Sequence, residues 1–382
     1  EMAGTEADVA YVAGQAYAIR ALCYLNLATW FSRAPYNPLT GASRWNEACV
    51  PVYTTGTSID TGGQPRESLR TVYGRIDQDI DRAIELLEKA RETTLAENNK
   101  SHINLYVALG IKSRACLAEG DWDGAFKAAK RVIDEGGYAV GTKSDLTGGM
   151  NSLGKQNVMW GAGIQVADQA GGYAGFFTHM DNKEGAYAKS APKLISKQLY
   201  NRISATDIRR DWWDPSDKES PYVSKKFSFG NVASFLGDYI YMRVEEMYFT
   251  AAEAALRLDD LKSARELMNT VMAERDPGYS ANNRSGTLLG ATTTTWTGSF
   301  LENILTHRRI ELWGEYGRLF DVRRLGQGID RRTDDGFSEE CISMMNRRNV
   351  NITKADTYDW VLTIPKAELD ANPNINEEDQ NP

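Results

Sequence analysis

The chain has 382 residues, of which 42% are hydrophobic and 25% charged, and a net charge of -8. These proportions belong to a globular protein large enough to bury a core without disulfide staples. Forty-four Lys and Arg against 52 Asp and Glu, with no basic run, make nucleic acid a poor partner, and no apolar stretch approaches the ~20 residues that span a membrane.

Glu1-Met2-Ala3-Gly4 leads into a helical pattern without a basic or apolar leader, so any export signal is expected to have been removed or to lie upstream. From Val9 to Phe31 apolar residues recur at steps of three and four (Val12, Ala16, Ile19, Leu22, Cys23, Leu27, Trp30), which predicts a long amphipathic helix. It stops at Ala34-Pro35-Tyr36-Asn37-Pro38, and a polar excursion occupies 34–65. A second helix is predicted from about Ser68 to Arg91, with Val72, Tyr73, Ile76, Ile80, Ala83, Ile84 and Leu87 on its apolar face and Asp77, Asp79 and Asp81 mostly elsewhere. The two should pair across the loop as a hairpin over 7–91.

Residues 102–135 read as a second hairpin with its turn at Glu119-Gly120-Asp121. The arrangement returns 139 residues later over 241–273, where Ala254, Leu256, Asp260, Ala264 and Val271 fall on Ala115, Leu117, Asp121, Ala125 and Val132. Small residues at the crossing are what tetratricopeptide-type hairpins require, because helices approach closely only over Ala-sized side chains. A fourth hairpin is predicted over 299–325. The fold class is therefore mainly α: about four tetratricopeptide-like pairs with a loop-rich variable region over 139–239. In that region Asn157 to Val166 is strand-like, Gly171 to Phe177 is rich in Gly and aromatics, and 211–239 is loop-rich. The tail, 358–382, holds a strand-like run from Trp360 to Ile364 and is expected to wrap the surface.

Little in the sequence resembles catalytic or cofactor chemistry. Cys23 and Cys116 sit in helical patterns and should pack as small hydrophobes; only Cys49 and Cys341, in polar surroundings, could pair. His102, His179 and His307 are isolated, with no metal, triad or phosphate-loop spacing, and no metal or cofactor is expected. Neighbouring carboxylates such as Glu245 and Glu246 or Asp334 and Asp335 lack a pocket signal that would make one of them an acid. Gly161-Ala162-Gly163 starts like a dinucleotide fingerprint, but Val166 takes the third glycine position, so a strand with close backbone contacts is the better reading.

What remains is a surplus of aromatics in loops: Tyr36 and Trp45 in the first excursion, Trp212, Trp213 and Tyr222 in the middle one, and Trp296 after a run of threonines. Such rings either anchor long loops or stack on the C–H face of a sugar while neighbouring polar groups bind its hydroxyls. Arg44-Trp45-Asn46 places all the needed groups together. In an extended chain the rings of Trp212 and Trp213 point opposite ways, so one is expected to be buried and the other available.

Several phrases in this order resemble the SusD/RagB family of surface nutrient-binding lipoproteins. They are Ala18-Ile19-Arg20-Ala21-Leu22-Cys23-Tyr24-Leu25-Asn26-Leu27, Tyr73-Gly74-Arg75-Ile76-Asp77, Arg243-Val244-Glu245-Glu246-Met247-Tyr248, Arg308-Arg309-Ile310-Glu311-Leu312 with Arg318-Leu319-Phe320-Asp321-Val322-Arg323-Arg324, and Ile364-Pro365-Lys366-Ala367-Glu368-Leu369 with Asn372-Pro373-Asn374. The resemblance implies capture of an oligosaccharide or polysaccharide, without catalysis, for a SusC-like TonB-dependent outer-membrane transporter. It implies an outer-membrane, surface-exposed location through an N-terminal lipid that this chain does not carry. It implies a structural charge network of Arg309, Glu311, Arg318 and Asp321. Loop position, not motif, supports Arg44, Trp45, Asn46, Tyr36, Trp212, Trp213, Tyr222 and Trp296 as ligand contacts. Two departures stand out: His307 occupies a position where the family usually has Glu, and the family's N-terminal segment is missing ahead of Glu1. Three alternatives remain: a peptide-binding member of the same family, a tetratricopeptide interaction scaffold, and an all-helical glycosidase with two carboxylates about 5 to 9.5 Å apart.

Overall fold

The computed structural model describes residues 4–53, 56–58, 60–91, 93, 95, 99–166, 174–290, 296–329 and 357–382. Helix α1 (Glu6–Phe31) packs on α2 (Leu69–Lys89), α2 on α3 (Leu105–Glu119), and α3 on α4 (Trp122–Glu135). The variable region follows, with short helices α5 (Lys143–Thr147), α6 (Phe176–Met180), α7 (Ala186–Ser190) and α8 (Lys197–Tyr200) between strands β1 (Val158–Ala162), β2 (Trp213–Asp214), β3 (Val223–Ser224) and β4 (Tyr239–Arg243). The chain then returns to the frame through α9 (Val244–Arg257), packed on α4, and α10 (Leu261–Ala273). Helices α11 (Phe300–Glu311) and α12 (Arg318–Arg324) close the stack, α11 against α9 and α12 against α3. The frame is thus the mainly helical, tetratricopeptide-like architecture that the repeats predict.

The sequence repeat is a backbone repeat. Asp121 and Asp260 are both N-caps with nearly equal dihedrals (φ -78, ψ 85 and φ -84, ψ 73), and each side chain accepts from the backbone N–H three residues on. The residue before each is left-handed: Gly120 at φ 77 and Asp259 at φ 61. Asp is among the few residues besides Gly that reach this region at modest cost, so the turn survives the replacement.

Helix α1 buries a different face from the one its large apolar residues suggest. Its seam is Ala10, Tyr11, Gly14, Ala18, Ala21, Leu25 and Ala28, whereas Val12, Ile19 and Trp30 are 43%, 49% and 43% exposed and Cys23 is exposed. The cause is the closeness of α2: a Cβ on Gly14 would stand 2.8 Å from Leu87 Cγ, so only small residues fit the crossing. Asp79 is likewise on the buried face of α2, not the solvent face, because Arg20 of α1 crosses the seam to hold both its oxygens at 2.6 and 2.8 Å.

Two further expectations are corrected. The run from Trp360 to Ile364 is not a strand: Tyr358–Trp360 is a 3-10 turn, and Leu362 N–H donates to Trp30 O at the end of α1. The tail, including α13 (Lys366–Ala371), is tied to the first excursion by Asn372 to Gln64 O and by Arg66 to Asn381, and Asn381 in turn holds Phe31 O and Leu362 O. Cys49 is buried, a free thiol 3.4 Å from Ser32 Oγ, with burial pushing its pKa up to about 11; Cys341 lies outside the described residues.

Candidate functional site

Strands β1 and β4 pair antiparallel, with register irregularities on either side of Trp160, and β4 runs without a break into α9. Pairing sets Gly161 opposite Ile240, where a Cβ would stand 2.2 Å from Tyr239 O, so glycine is required by close backbone approach, as the sequence indicates. Alternation along β4 puts Tyr239 and Tyr241 on one face and sends Met242 into the frame; Arg243, at the junction with α9, is buried as well. Across the pair the rings of Trp160 and Tyr241 meet at 5.0 Å, nearly edge to face.

These rings wall a 460 Å³ cavity completed by Phe176, Phe227 and Tyr316 and floored by α1 (Leu22, Asn26) and α3 (Arg114). That volume lies within the usual range of ligand sites, about 300–1,000 Å³. A larger cleft of 730 Å³ lies between 181–192 and 214–232, but charged residues of both signs, such as Lys183, Glu184, Asp217 and Lys225, dominate its walls. The 460 Å³ cavity carries more aromatic rings on its walls.

Its polar groups are held by buried ion pairs. Arg114 binds Glu246 at 2.8 and 2.6 Å, donates to Tyr241 O, and lies 3.9 Å over the Tyr316 ring, whose hydroxyl donates to Asn26 Oδ1. Glu315 accepts from Lys226 at 2.5 Å and from Arg243 through both of its oxygens at 2.8 Å. Burial would raise the Glu315 pKa, but Arg243 and Lys226 outweigh it and hold the carboxylate below its ordinary value. Burial pulls Lys226 down to about 8 against the opposing pull of Glu315.

Behind the cavity stands a second cluster around Glu311, fully buried and bonded to Arg209, Arg243 and Arg275. Glu245 joins it through Arg243 and Arg275, while Glu246 serves Arg114 and Arg308, so this adjacent pair is divided between two clusters and neither is free for proton transfer. Asp321 is bound by Arg308 and Arg324, linking α11 to α12. Arg309 and Arg318 are only half-buried; Arg318 donates to Gln327. His307 is buried against Arg209, and desolvation with that neighbouring cation depresses its pKa well below the usual value. The neutral imidazole accepts from Arg209 Nη2 through Nδ1 at 2.8 Å.

None of the loop residues singled out in the sequence lines this cavity. Trp45 is half-buried against Tyr36 and Tyr73, with Arg70 over its ring, and so ties the first excursion to α2; Arg44 is buried, and Tyr36 and Asn46 are exposed. Trp212 and Trp213 are 1% and 2% exposed, which corrects the expectation that one ring is available. The reason is that the chain is not extended there: a 3-10 turn over Ile208–Trp212 rotates the first indole inward, where its N–H donates to Leu146 O, and its neighbour packs on Trp313. Tyr222, left-handed at φ 68, packs on Tyr200, and Trp296 lies under Arg202. The residues that sequence reasoning missed are Trp160, Tyr239, Tyr241, Tyr316, Asn26 and Arg114; the alternating Tyr239-Ile240-Tyr241 was the legible signal of a half-buried strand.

The SusD family model matches residues 180–382. The chain belongs to the SusD family. Solved structures of the SusD type superpose on the whole chain. A SusD-like carbohydrate binding protein from Bacteroides vulgatus is 27% identical, with a TM-score of 0.75 over 98% of this chain and 79% of that one. A SusD superfamily protein from Bacteroides thetaiotaomicron (22% identity, TM-score 0.76, 100% and 80% of the two chains) and surface glycan-binding protein A from Bacteroides uniformis (18%, 0.66, 100% and 80%) share the fold. No curated protein sequence matches the chain.

Proposed function

We propose that this SusD-family chain captures oligosaccharide or polysaccharide without cleaving it, seating a sugar ring in the cavity between the β1–β4 pair and Tyr316, and presents it to a SusC-type TonB-dependent outer-membrane transporter as a surface lipoprotein. The observation that carries the reading is the aromatic wall: Trp160 and Tyr241 offer ring faces for sugar C–H groups beside Asn26 and Arg114. The 27% identical SusD-like carbohydrate binding protein supports it. Binding without turnover is supported by Glu315, the one carboxylate among the described lining residues, which is held as an ion by three bonds from Arg243 and Lys226. A glycosidase would need one carboxyl free to give a proton and another about 5 to 9.5 Å away.

Affinity electrophoresis in gels containing a panel of polysaccharides tests the capture. At least one should retard the wild-type chain, with calorimetric affinity in the micromolar to millimolar range, around -4 to -8 kcal/mol. Trp160→Ala should abolish the retardation and chromatography should detect no new reducing ends. Retention unchanged by Trp160→Ala removes the cavity from the account, and cleavage removes the non-catalytic reading. Co-purification of the lipidated protein with a TonB-dependent barrel from outer membranes tests the partner.

A further inference from the structure

The cavity is one-sided in its hydrogen-bonding chemistry. Its carboxylate, Glu315, has most of its acceptor capacity taken: three charge-assisted bonds converge on it from Lys226 and Arg243, two on Oε1 and one on Oε2, which leaves about one lone-pair position. Its guanidinium is in the opposite state. Arg114 is 2% exposed, with Nε and Nη2 taken by Glu246 and Tyr241 O, while Nη1 donates to no described residue. Asn26 spends Oδ1 on Tyr316, which leaves its amide N–H groups without a described acceptor, and the Trp160 indole N–H has none either. A neutral hexose presents hydroxyls that must donate as well as accept, and carboxylates usually receive them. Here, apart from the Tyr241 hydroxyl, which can do either, and the remaining Glu315 position, the groups without a described partner are donors, and one of them is a cation.

We infer that the cavity takes the carboxylate-bearing ring of an acidic glycan, a uronic acid residue, with its C–H face on Trp160 and Tyr241 and its carboxylate accepting from Arg114 Nη1 and Asn26 Nδ2. This rests on the glycan-capture reading and narrows its substrate class. Guanidinium is suited to this role because it stays charged and, with Nε and Nη2 committed to Glu246, still has the N–H groups of Nη1 to give. The overall charge of -8 opposes an acidic ligand at long range, but at physiological salt that field is screened beyond about 8 Å, and the contact with Arg114 decides.

Calorimetry on the intact chain at pH 7 with digalacturonic acid, its dimethyl ester and galactobiose tests the inference. The acid should bind at least tenfold more tightly than the other two. Asn26→Leu should reduce that preference several-fold, and Trp160→Ala should weaken every ligand that binds. Both variants leave the Arg114–Glu246 pair intact, and circular dichroism with thermal unfolding checks that each is folded under the conditions of the titration, Trp160 being packed against the core. Equal affinity for acid, ester and neutral disaccharide, with Trp160→Ala still weakening all of them, overturns the acidic preference and leaves glycan capture standing. Absence of binding by all three also overturns it, and glycan capture is then judged by the polysaccharide gels, whose outcome does not depend on the charge of the sugar.

Discussion

Replacing Glu311 by Gln removes the centre of the buried cluster behind the cavity. The carboxylate accepts four hydrogen bonds of 3.0–3.1 Å, from Arg209 and Arg275 on Oε2 and from Arg243 and Arg275 on Oε1. Gln keeps one acceptor oxygen and turns an NH2 group toward two guanidinium donors, so about half of the bonds are lost and one contact becomes donor against donor. Arg209 retains Asp207, and Arg243 and Arg275 retain Glu245, which limits the damage. Breaking a buried pair from one side costs about 3–5 kcal/mol, a large part of the roughly 5–15 kcal/mol that holds a protein folded. Urea or calorimetric unfolding should show that loss, with a midpoint lower by about 4–6 °C for a chain of this length. The pH dependence is a second check. Burial raises the Glu311 pKa, but the three arginines hold it well below the ordinary value, so its stabilisation is present above the unfolded carboxylate range and fades as pH falls through the folded value. The gap between wild type and Glu311→Gln should be constant from neutrality to about pH 5 and narrow below that. A loss under about 1 kcal/mol, or a gap that widens on acidification, refutes the reasoning.

Other substitutions separate frame from site. Trp45→Ala should cost about 2–4 kcal/mol in chemical denaturation, by cutting the first excursion from Tyr73, and leave calorimetric glycan affinity unchanged. Gly161→Ala forces β1 away from Tyr239 O and should lose about 1–3 kcal/mol together with most of the binding; a stable variant with full affinity would show that the strand contact is not needed. Burial and the nearby Asp77 carboxylate push Glu119 up to about 8, so its penalty to folding is absent below the unfolded value and grows as pH rises toward the folded one. Glu119→Gln should therefore raise the unfolding midpoint at pH 8 and leave it unchanged at pH 4, by an amount on the order of 1–2 kcal/mol since the group is partly solvated.

The frame was legible because its signals are local. The Gly-Asp turn, the Ala crossings and the 139-residue offset are read from neighbouring residues, and the same contacts appear in space. The face of α1 was not legible, because a helix apolar nearly all round has no preferred side until its partner approaches, and then the smallest side chains win the seam. The loop aromatics misled for a related reason. Residue type shows that a ring needs burial or a partner, but whether Trp212 turns inward depends on a 3-10 turn stabilised by contacts from Leu146 and Trp313 distant in sequence. The cavity residues come from α1, α3, β1, β4 and the α11–α12 link, a set that no single window of sequence holds together.

That dispersal also explains why so much buried charge surrounds the cavity. Loops supply some of its walls, and a ligand as weakly bound as the proposed sugar would not organise loops on binding, since ordering each flexible side chain costs about 0.5–1.5 kcal/mol. The wall must be fixed beforehand. Arg114 with Glu246 joins α3 to α9 beneath Tyr241, Arg243 with Glu311 and Glu315 joins β4 to the end of α11, and Lys226 adds the loop before β4 by donating to the carbonyls of Glu311 and Trp313. Apolar packing could stabilise these elements equally well, because buried ion pairs contribute little net energy over hydrophobic replacements. What directional bonds add is position: each carboxylate accepts from named nitrogens at defined distances, so Trp160, Tyr241 and Tyr316 are held around an open space that close packing would otherwise fill.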